Sequence, residues 1–267
     1  MAGTAKRGID LNGRRALITG GGSGLGLIFA DALAEAGADI VICGRREDVV
    51  NEAREQLVRH GVKAEAHRAD ISDPEQIDKL KERVGEVDIL INNAGYSIRR
   101  NSWLDVTASE WREVLETNLM APFLLAQRFA AGMIKRGFGR IVNVSSVYGV
   151  VGANPDHYPD MPSDNTSYAC SKHALIGLTK NLALRVADKG VTVNTLAPGI
   201  FPGATKKERS DGVSQGQRTA QILLDKIPAH RFGVAADLRG IIVFIASDQS
   251  AYMTGQTLVV DGGFTVG

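Results

Sequence analysis

Short apolar runs alternate with longer amphipathic ones along most of the chain. Ala16–Ile18 is a brief apolar run ending in Thr19 and a glycine cluster, and Leu25–Ala36 has the spacing of a helix closed by Gly37. A second strand is predicted at Asp39–Cys43 and a polar-faced helix from Glu47 to His60, stopped by Gly61. Lys63–Arg68 gives a third strand, and Asp73-Pro74 opens another helix, with the proline in the first turn where its missing N–H does no harm. Further strands are predicted at Val87–Ile91, Arg140–Val144, Val191–Leu196 and Thr257–Val260, with helices around 109–136 and 167–188. Strands that are continuous apolar runs separated by helices belong to parallel sheets covered on both faces. Right-handed crossovers then predict an α/β fold, a doubly wound parallel sheet of seven strands with helices on both sides.

Two stretches break the alternation. Residues 153–166 carry three prolines, and residues 201–220 are polar and glycine-rich. Both exceed a simple connection and are expected to be functional loops. With no repeat or linker, residues 1–267 read as one domain with two decorated loops.

Composition narrows the classes of partner. Lys and Arg total 31 against 30 Asp and Glu, a net charge of +1, which gives neither nucleic acid nor an anionic membrane a basis for attraction. Two cysteines cannot build a disulfide framework, and the five histidines have no metal-binding spacing, so no metal is expected. No run approaches the ~20 apolar residues of a membrane span, and the basic N-terminus lacks the apolar run of a secretory signal. A cytoplasmic setting is the expectation. Glycine is over-represented, at 30 residues.

Five of those glycines lie in Thr19-Gly20-Gly21-Gly22-Ser23-Gly24-Leu25-Gly26, between a strand and a helix. A loop of this kind lets the backbone approach a pyrophosphate whose charge sits at the helix N-terminus, as in the Rossmann fold. The same loop also serves close helix–strand packing. After the second strand an acidic residue would hold a ribose 2′-hydroxyl, whereas arginine accommodates a 2′-phosphate. This chain has Arg45-Arg46 there, with no acid before Glu47. NADP(H) is therefore favoured over NAD(H), against a reading of both arginines as solvated helix-entry residues.

On the helix near 167, Tyr168 and Lys172 stand at i, i+4 and share a face. A phenol with pKa ~10 trades protons poorly at neutral pH, and a neighbouring ammonium favours the phenolate. Tyr168 is thus a candidate general acid/base, although such pairs are common in helices.

Taken in order, Thr19–Gly26, Asp70-Ile71, Asn92-Asn93-Ala94-Gly95, Asn118, Ser145-Ser146, Tyr168 with Lys172, and Pro198-Gly199 resemble the short-chain dehydrogenase/reductase family from about Leu11 to Gly263. The resemblance implies a hydride-transferring oxidoreductase in which Tyr168 is proton donor and acceptor. Ser146 would orient the substrate oxygen, Lys172 would lower the Tyr168 pKa and bind the nicotinamide ribose, and Asn118 would hold a relay water. It implies cofactor contacts from Gly20, Gly22, Ser23, Gly24, Leu25, Gly26, Arg45 and Arg46. Asp70 and Ile71 are expected by the adenine, Asn92, Asn93, Ala94 and Gly95 at the cleft floor, and Pro198 and Gly199 near the nicotinamide. A homotetramer is implied too, with the Asn118 and Tyr168 helices and the region 256–263 at subunit contacts.

The chain departs from the family twice. Ser146 and Tyr168 are 22 positions apart, the surplus being 153–166, whose His157, Tyr158 and Asp160 are candidate substrate contacts. Five positions after Pro198, where many relatives have a threonine, stands Gly203, with Thr205 two further on. Arg99 and Arg100 form a basic segment beside the expected cleft, and arginine suits bidentate carboxylate binding. With Ser145–Gly149 and Phe201-Pro202, this segment resembles the gluconate 5-dehydrogenase and sugar-dehydrogenase branch. The expected small-molecule substrate is a carbonyl or alcohol of a sugar acid or polyol, near 5-keto-gluconate. A 3-oxoacyl thioester or a hydrophobic ketone is the alternative; against the thioester, no basic helix offers an acyl-carrier docking face, though Lys206, Lys207 and Arg209 could contribute to one. A non-catalytic nucleotide-binding regulator is a third. Cys170 is expected to be a buried, inert thiol.

Overall fold

A computed structural model describes residues 9–202 and 217–267. Seven strands pair in parallel: β1 (Arg15–Thr19), β2 (Asp39–Gly44), β3 (Ala64–Arg68), β4 (Ile89–Asn92), β5 (Gly139–Val144), β6 (Val191–Pro198) and β7 (Thr257–Val260). Their order is β3-β2-β1-β4-β5-β6-β7. Each strand foreseen from the apolar runs is present. The direction of winding reverses between β1 and β4, which leaves a crevice at their C-terminal ends where ligands of such folds bind.

The helices are α1 (Gly24–Glu35), α2 (Glu47–Leu57), α3 (Pro74–Val84), α4 (Ala108–Leu115), α5 (Ala121–Arg136), α6 (Thr166–Val186), α7 (Gln217–Lys226) and α8 (Ala235–Ile245). Alternate strand residues feed two separate cores. Ile18, Ile40 and Ile42 face Phe29 and Leu33 of α1 and Leu238 and Ile242 of α8. Leu17, Val41 and Leu90 point the other way, onto Leu80 of α3 and Phe129 and Met133 of α5. Each such fully buried side chain contributes about 1.5–3 kcal/mol, so the sheet is held from both faces.

Three features were not foreseen. Helix α8 is apolar almost all round, with Ile241, Val243 and Phe244 also packed against the core, so it shows no single stripe. Helix α7 starts inside the stretch 201–220, whose residues 203–216 lie outside the described ones. The single helix expected over 109–136 is α4 and α5 joined by one π turn, Glu116–Met120. Wide turns of this kind concentrate at functional sites, and Asn118 sits at its centre. No helix among the described residues is long and apolar enough to cross a membrane.

Candidate active site

The crevice is a cleft of about 410 Å³. Its lining includes Gly20, Gly22, Ser23 and Leu25 after β1, Arg45 and Arg46 after β2, and Asp70 and Ile71 after β3. Ala94 and Gly95 follow β4, Ser145 follows β5, and Tyr168 and Lys172 come from α6.

The glycine loop leaves the N-terminus of α1 open. Ser23 precedes the helix in extended conformation, its side chain caps nothing, and no acidic residue stands in the first turn. By contrast Asp73 caps α3, and Thr107 with Glu110 forms a reciprocal cap on α4. Gly26 faces the loop from inside α1: a Cβ there would lie 2.2 Å from the Gly20 carbonyl oxygen. Gly24 and Gly26 do not line the cleft; they shape the turn behind it. The Thr19 hydroxyl accepts the backbone N–H groups of Asn93 and Ala94, each at 3.0 Å, and ties the ends of β1 and β4 together.

Helix α6 is seated by buried polar contacts. The Ser145 hydroxyl donates to the Lys172 carbonyl at 2.9 Å, and Lys172 Nζ donates to the Val144 carbonyl at 2.7 Å. Gly149 permits this approach, since a Cβ there would stand 2.3 Å from Ser145 Oγ. Deeper in the sheet, Asn92 Nδ2 donates to Asn143 Oδ1 at 2.8 Å, and Asn143 Nδ2 donates to Thr179 Oγ1 at 2.9 Å. Thr195 Oγ1 also donates to Thr179, whose own hydroxyl donates to the Leu175 carbonyl. This ladder joins β4, β5 and β6 to α6.

Burial holds the Tyr168 phenol above its ordinary pKa of 10, partly offset by a hydrogen bond from the Ser146 hydroxyl and by the charge of Arg99. Burial also pushes Lys172, 3% exposed, down from 10.5 to about 8. Lys172 Nζ lies 5.5 Å from the Tyr168 ring centroid. A Cβ at Gly95 would lie 3.6 Å from that nitrogen and 3.7 Å from Asn118 Oδ1, so all three residues converge on one end of the cleft.

The arrangement fits a dinucleotide. An uncapped helix N-terminus faces the middle of the cleft and a buried ammonium with one acceptor stands at one end. At the other end are two exposed arginines without a carboxylate partner among the described residues. A family model described as enoyl-(acyl carrier protein) reductase matches residues 20–265. The chain belongs to the short-chain dehydrogenase/reductase family. It is 34% identical over 259 residues to the 3-oxoacyl-[acyl-carrier-protein] reductase FabG of Escherichia coli (strain K12), covering 96% of this chain and 98% of the relative. Among solved structures it is similar to a gluconate 5-dehydrogenase from Burkholderia cenocepacia in complex with NADP and tartrate. That likeness has TM-score 0.83, 36% identity and 97% of each chain covered. It is also similar to the Pseudomonas aeruginosa RhlG/NADP complex, with TM-score 0.84, 29% identity, and 96% and 98% covered. The protein is an oxidoreductase of a family whose members use nicotinamide cofactors.

Within this dehydrogenase/reductase several expected residues stand elsewhere. Asn92 is buried in the polar ladder and does not floor the cleft; Asn93 lines it instead, its amide donating to the Thr19 carbonyl at 2.9 Å. Asn118 has both amide hydrogens committed, to the Tyr96 carbonyl and Ser171 Oγ at 2.9 Å each, while its oxygen accepts the Tyr96 N–H at 2.8 Å. Its side chain pins the segment after β4 to α6. Lys172 Nζ donates to the Val144 carbonyl and stands beside the Tyr168 ring, not in hydrogen-bond contact with its hydroxyl.

Pro198 ends β6 opposite Val260, and Gly199 donates to the Val260 carbonyl at 2.9 Å, so neither lines the cleft. Arg100 forms an ion pair with Glu110 and bridges Asp164, which takes its charge out of reach. Arg99 meets no carboxylate among the described residues; its guanidinium lies 4.8 Å from the Tyr158 ring centroid. His157 packs edge-on to Phe264, and Asp160 accepts from Thr219 on α7. Cys170 is exposed, not buried. Gly203, Thr205, Lys206, Lys207 and Arg209 lie outside the described residues.

The sequence reading gave no site role to Thr19, Tyr96 or Ser171. Asn93 was visible inside the quoted motif, but nothing in the sequence marks which of two adjacent asparagines faces the ligand.

Proposed function

We propose that this protein is an NADP(H)-dependent dehydrogenase/reductase that interconverts a ketone and a secondary alcohol of a sugar acid or polyol, near 5-keto-gluconate. The observation that carries the chemistry is the half-buried Tyr168 phenol, hydrogen-bonded by Ser146 at the end of the cleft. A bound nicotinamide supplies hydride to the carbonyl carbon, or takes it from the alcohol. Tyr168 gives its proton to the carbonyl oxygen in reduction, as a phenol held protonated through neutral pH can do, and its phenolate accepts the proton in oxidation. Ser146 holds the substrate oxygen against Tyr168, Lys172 holds the ribose, and Asn118 acts as a positioning residue through Tyr96.

Arg45 and Arg46 support the NADP(H) preference, since guanidinium groups pair strongly with phosphate, and the Burkholderia and Pseudomonas structures contain NADP. Arg99 supports an anionic substrate, and the Burkholderia enzyme carries tartrate. The E. coli relative favours a second reading, a 3-oxoacyl thioester reductase. Initial rates of NADPH and NADH oxidation against keto-sugar acids, ketoses, a 3-oxoacyl thioester and an aromatic diketone separate the two. Turnover of the keto-sugar acid with NADPH supports the first, and turnover of the thioester alone replaces it.

We extend the reading to a homotetramer. Exposed Met120 and Phe123 beside Asn118, and Tyr252 and Val259 around β7, offer apolar surface where the family's contacts are expected. Sedimentation equilibrium tests it.

A further inference from the structure

The insertion 153–166 is a built wall. Asp160 accepts the Thr219 N–H at 2.9 Å and its hydroxyl at 3.1 Å, anchoring one side to α7. On the other side Arg100 and Asp164 exchange backbone hydrogen bonds, at 3.2 and 3.0 Å. Between these anchors Tyr158 is 6% exposed, and its hydroxyl meets the hydroxyl of Tyr148, itself 5% exposed. Tyr148 stands two residues after Ser146 on one short turn, its backbone N–H donating to Ser146 Oγ at 3.2 Å. Tyr168 packs against the same cluster.

Donors and acceptors here do not balance. Two phenols bring two protons, and the bond between them uses one. The second has no acceptor among the described residues. Arg99, stacked on Tyr158, has one weak backbone contact, to the Pro162 carbonyl at 3.4 Å, for its five N–H groups. A buried phenol with an unmet donor is costly unless an oxygen of a ligand or of water supplies the acceptor, and a bound substrate displaces that water. Surplus donors beside Tyr168 therefore call for an oxygen-rich partner.

We propose that the Tyr148–Tyr158 hydroxyl pair, together with Arg99, is a specificity element that reads a hydroxyl or carboxylate oxygen on the substrate beyond its reacting carbonyl. This rests on the sugar-acid reading and deepens it, assigning to the insertion the rejection of apolar tails. A site built to hydrogen-bond an oxygen discriminates strongly against an analogue lacking it, because its own buried groups are then left unpaired.

The test uses the full-length protein with NADPH and measures kcat/KM for a keto-sugar acid and for an alkyl ketone of the same chain length. Wild type is compared with Tyr158→Phe, Tyr148→Phe and the double variant, all of which keep the rings. The keto-acid to alkyl-ketone ratio should fall about 10- to 100-fold in at least one single variant. The double variant, which alone leaves no free phenol donor, should lose at least as much as the larger single. A proportional loss on both substrates, leaving the ratio unchanged, would mean that the pair only supports the fold and would overturn the inference; so would a ratio unaffected in all variants. A wild type that reduces alkyl ketones but no polyhydroxylated acid overturns the sugar-acid reading itself, before any variant is made.

Discussion

Lys172 Nζ donates to the Val144 carbonyl at 2.7 Å, fastening α6 to the end of β5 with an ammonium that has no carboxylate within ion-pair distance among the described residues. Burial, with no carboxylate to offset it, is why its pKa falls to about 8.

Between pH 8 and 10.5 the unfolded chain therefore holds a proton that the folded one has lost, and stability from this group rises with pH across that window. Below pH 8 the full penalty of burying the charge applies, roughly 3 kcal/mol. In Lys172→Met, loss of the penalty is offset by an unmet Val144 carbonyl, at ~1–2 kcal/mol. The cofactor-free variant should be about 1–2 kcal/mol more stable than wild type at pH 7. That advantage should be gone by pH 10.5. Urea unfolding at the two pH values measures it, and a variant less stable at pH 7 contradicts the account.

Tyr168→Phe should lower kcat by roughly 10²–10⁴ while leaving cofactor affinity near wild type. Because burial raises the phenol's pKa, reduction should hold steady from neutral into mildly alkaline pH, while alcohol oxidation climbs. Opposite slopes in rate profiles for the two directions are the expected signature.

Arg45→Ala with Arg46→Ala should weaken NADPH binding by about 10- to 100-fold, the range of a lost charge-assisted hydrogen bond or two. NADH, without the 2′-phosphate, should change little. Titrating cofactor against protein fluorescence compares the two, and equal losses would remove the arginines from the phosphate.

Thr179→Val should cost about 2–3 kcal/mol, because Asn143 Nδ2 and the Thr195 hydroxyl both lose their acceptor inside the sheet. Thr179→Ser keeps the oxygen and should cost under ~1 kcal/mol. Chemical denaturation distinguishes them.

The inner strands were legible because both faces of the sheet are buried there, so β1, β2 and β4 are nearly bare apolar runs. The edge strand β3, half-buried and partly charged, was legible mainly from the glycine stop before it. The glycine loop, Tyr168 and Lys172 were legible by spacing. What stayed hidden depends on partners distant in sequence. Nothing local to Arg100 tells it from Arg99, yet Glu110 claims one and leaves the other. The commitment of Asn118 to Tyr96 and Ser171 and the burial of Tyr158 by Tyr148 are likewise set by tertiary contacts. Cys170 was misjudged because the side of α6 that faces inward follows from Ser167, Ser171 and Lys172, which are polar and buried.

The wide turn at Glu116–Met120 also fixes a rotational phase. An α-helix advances 100° and 1.5 Å per residue, so removing one residue from this turn would rotate everything after it by that angle relative to α4. Leu125, Phe129 and Met133 would swing away from the sheet, or else α4 would turn and carry Asn118 off Tyr96. The single surplus residue lets one continuous rod satisfy two alignments at once, that of the core and that of the cleft. Over this stretch the chain should tolerate changes of side chain far better than changes of length.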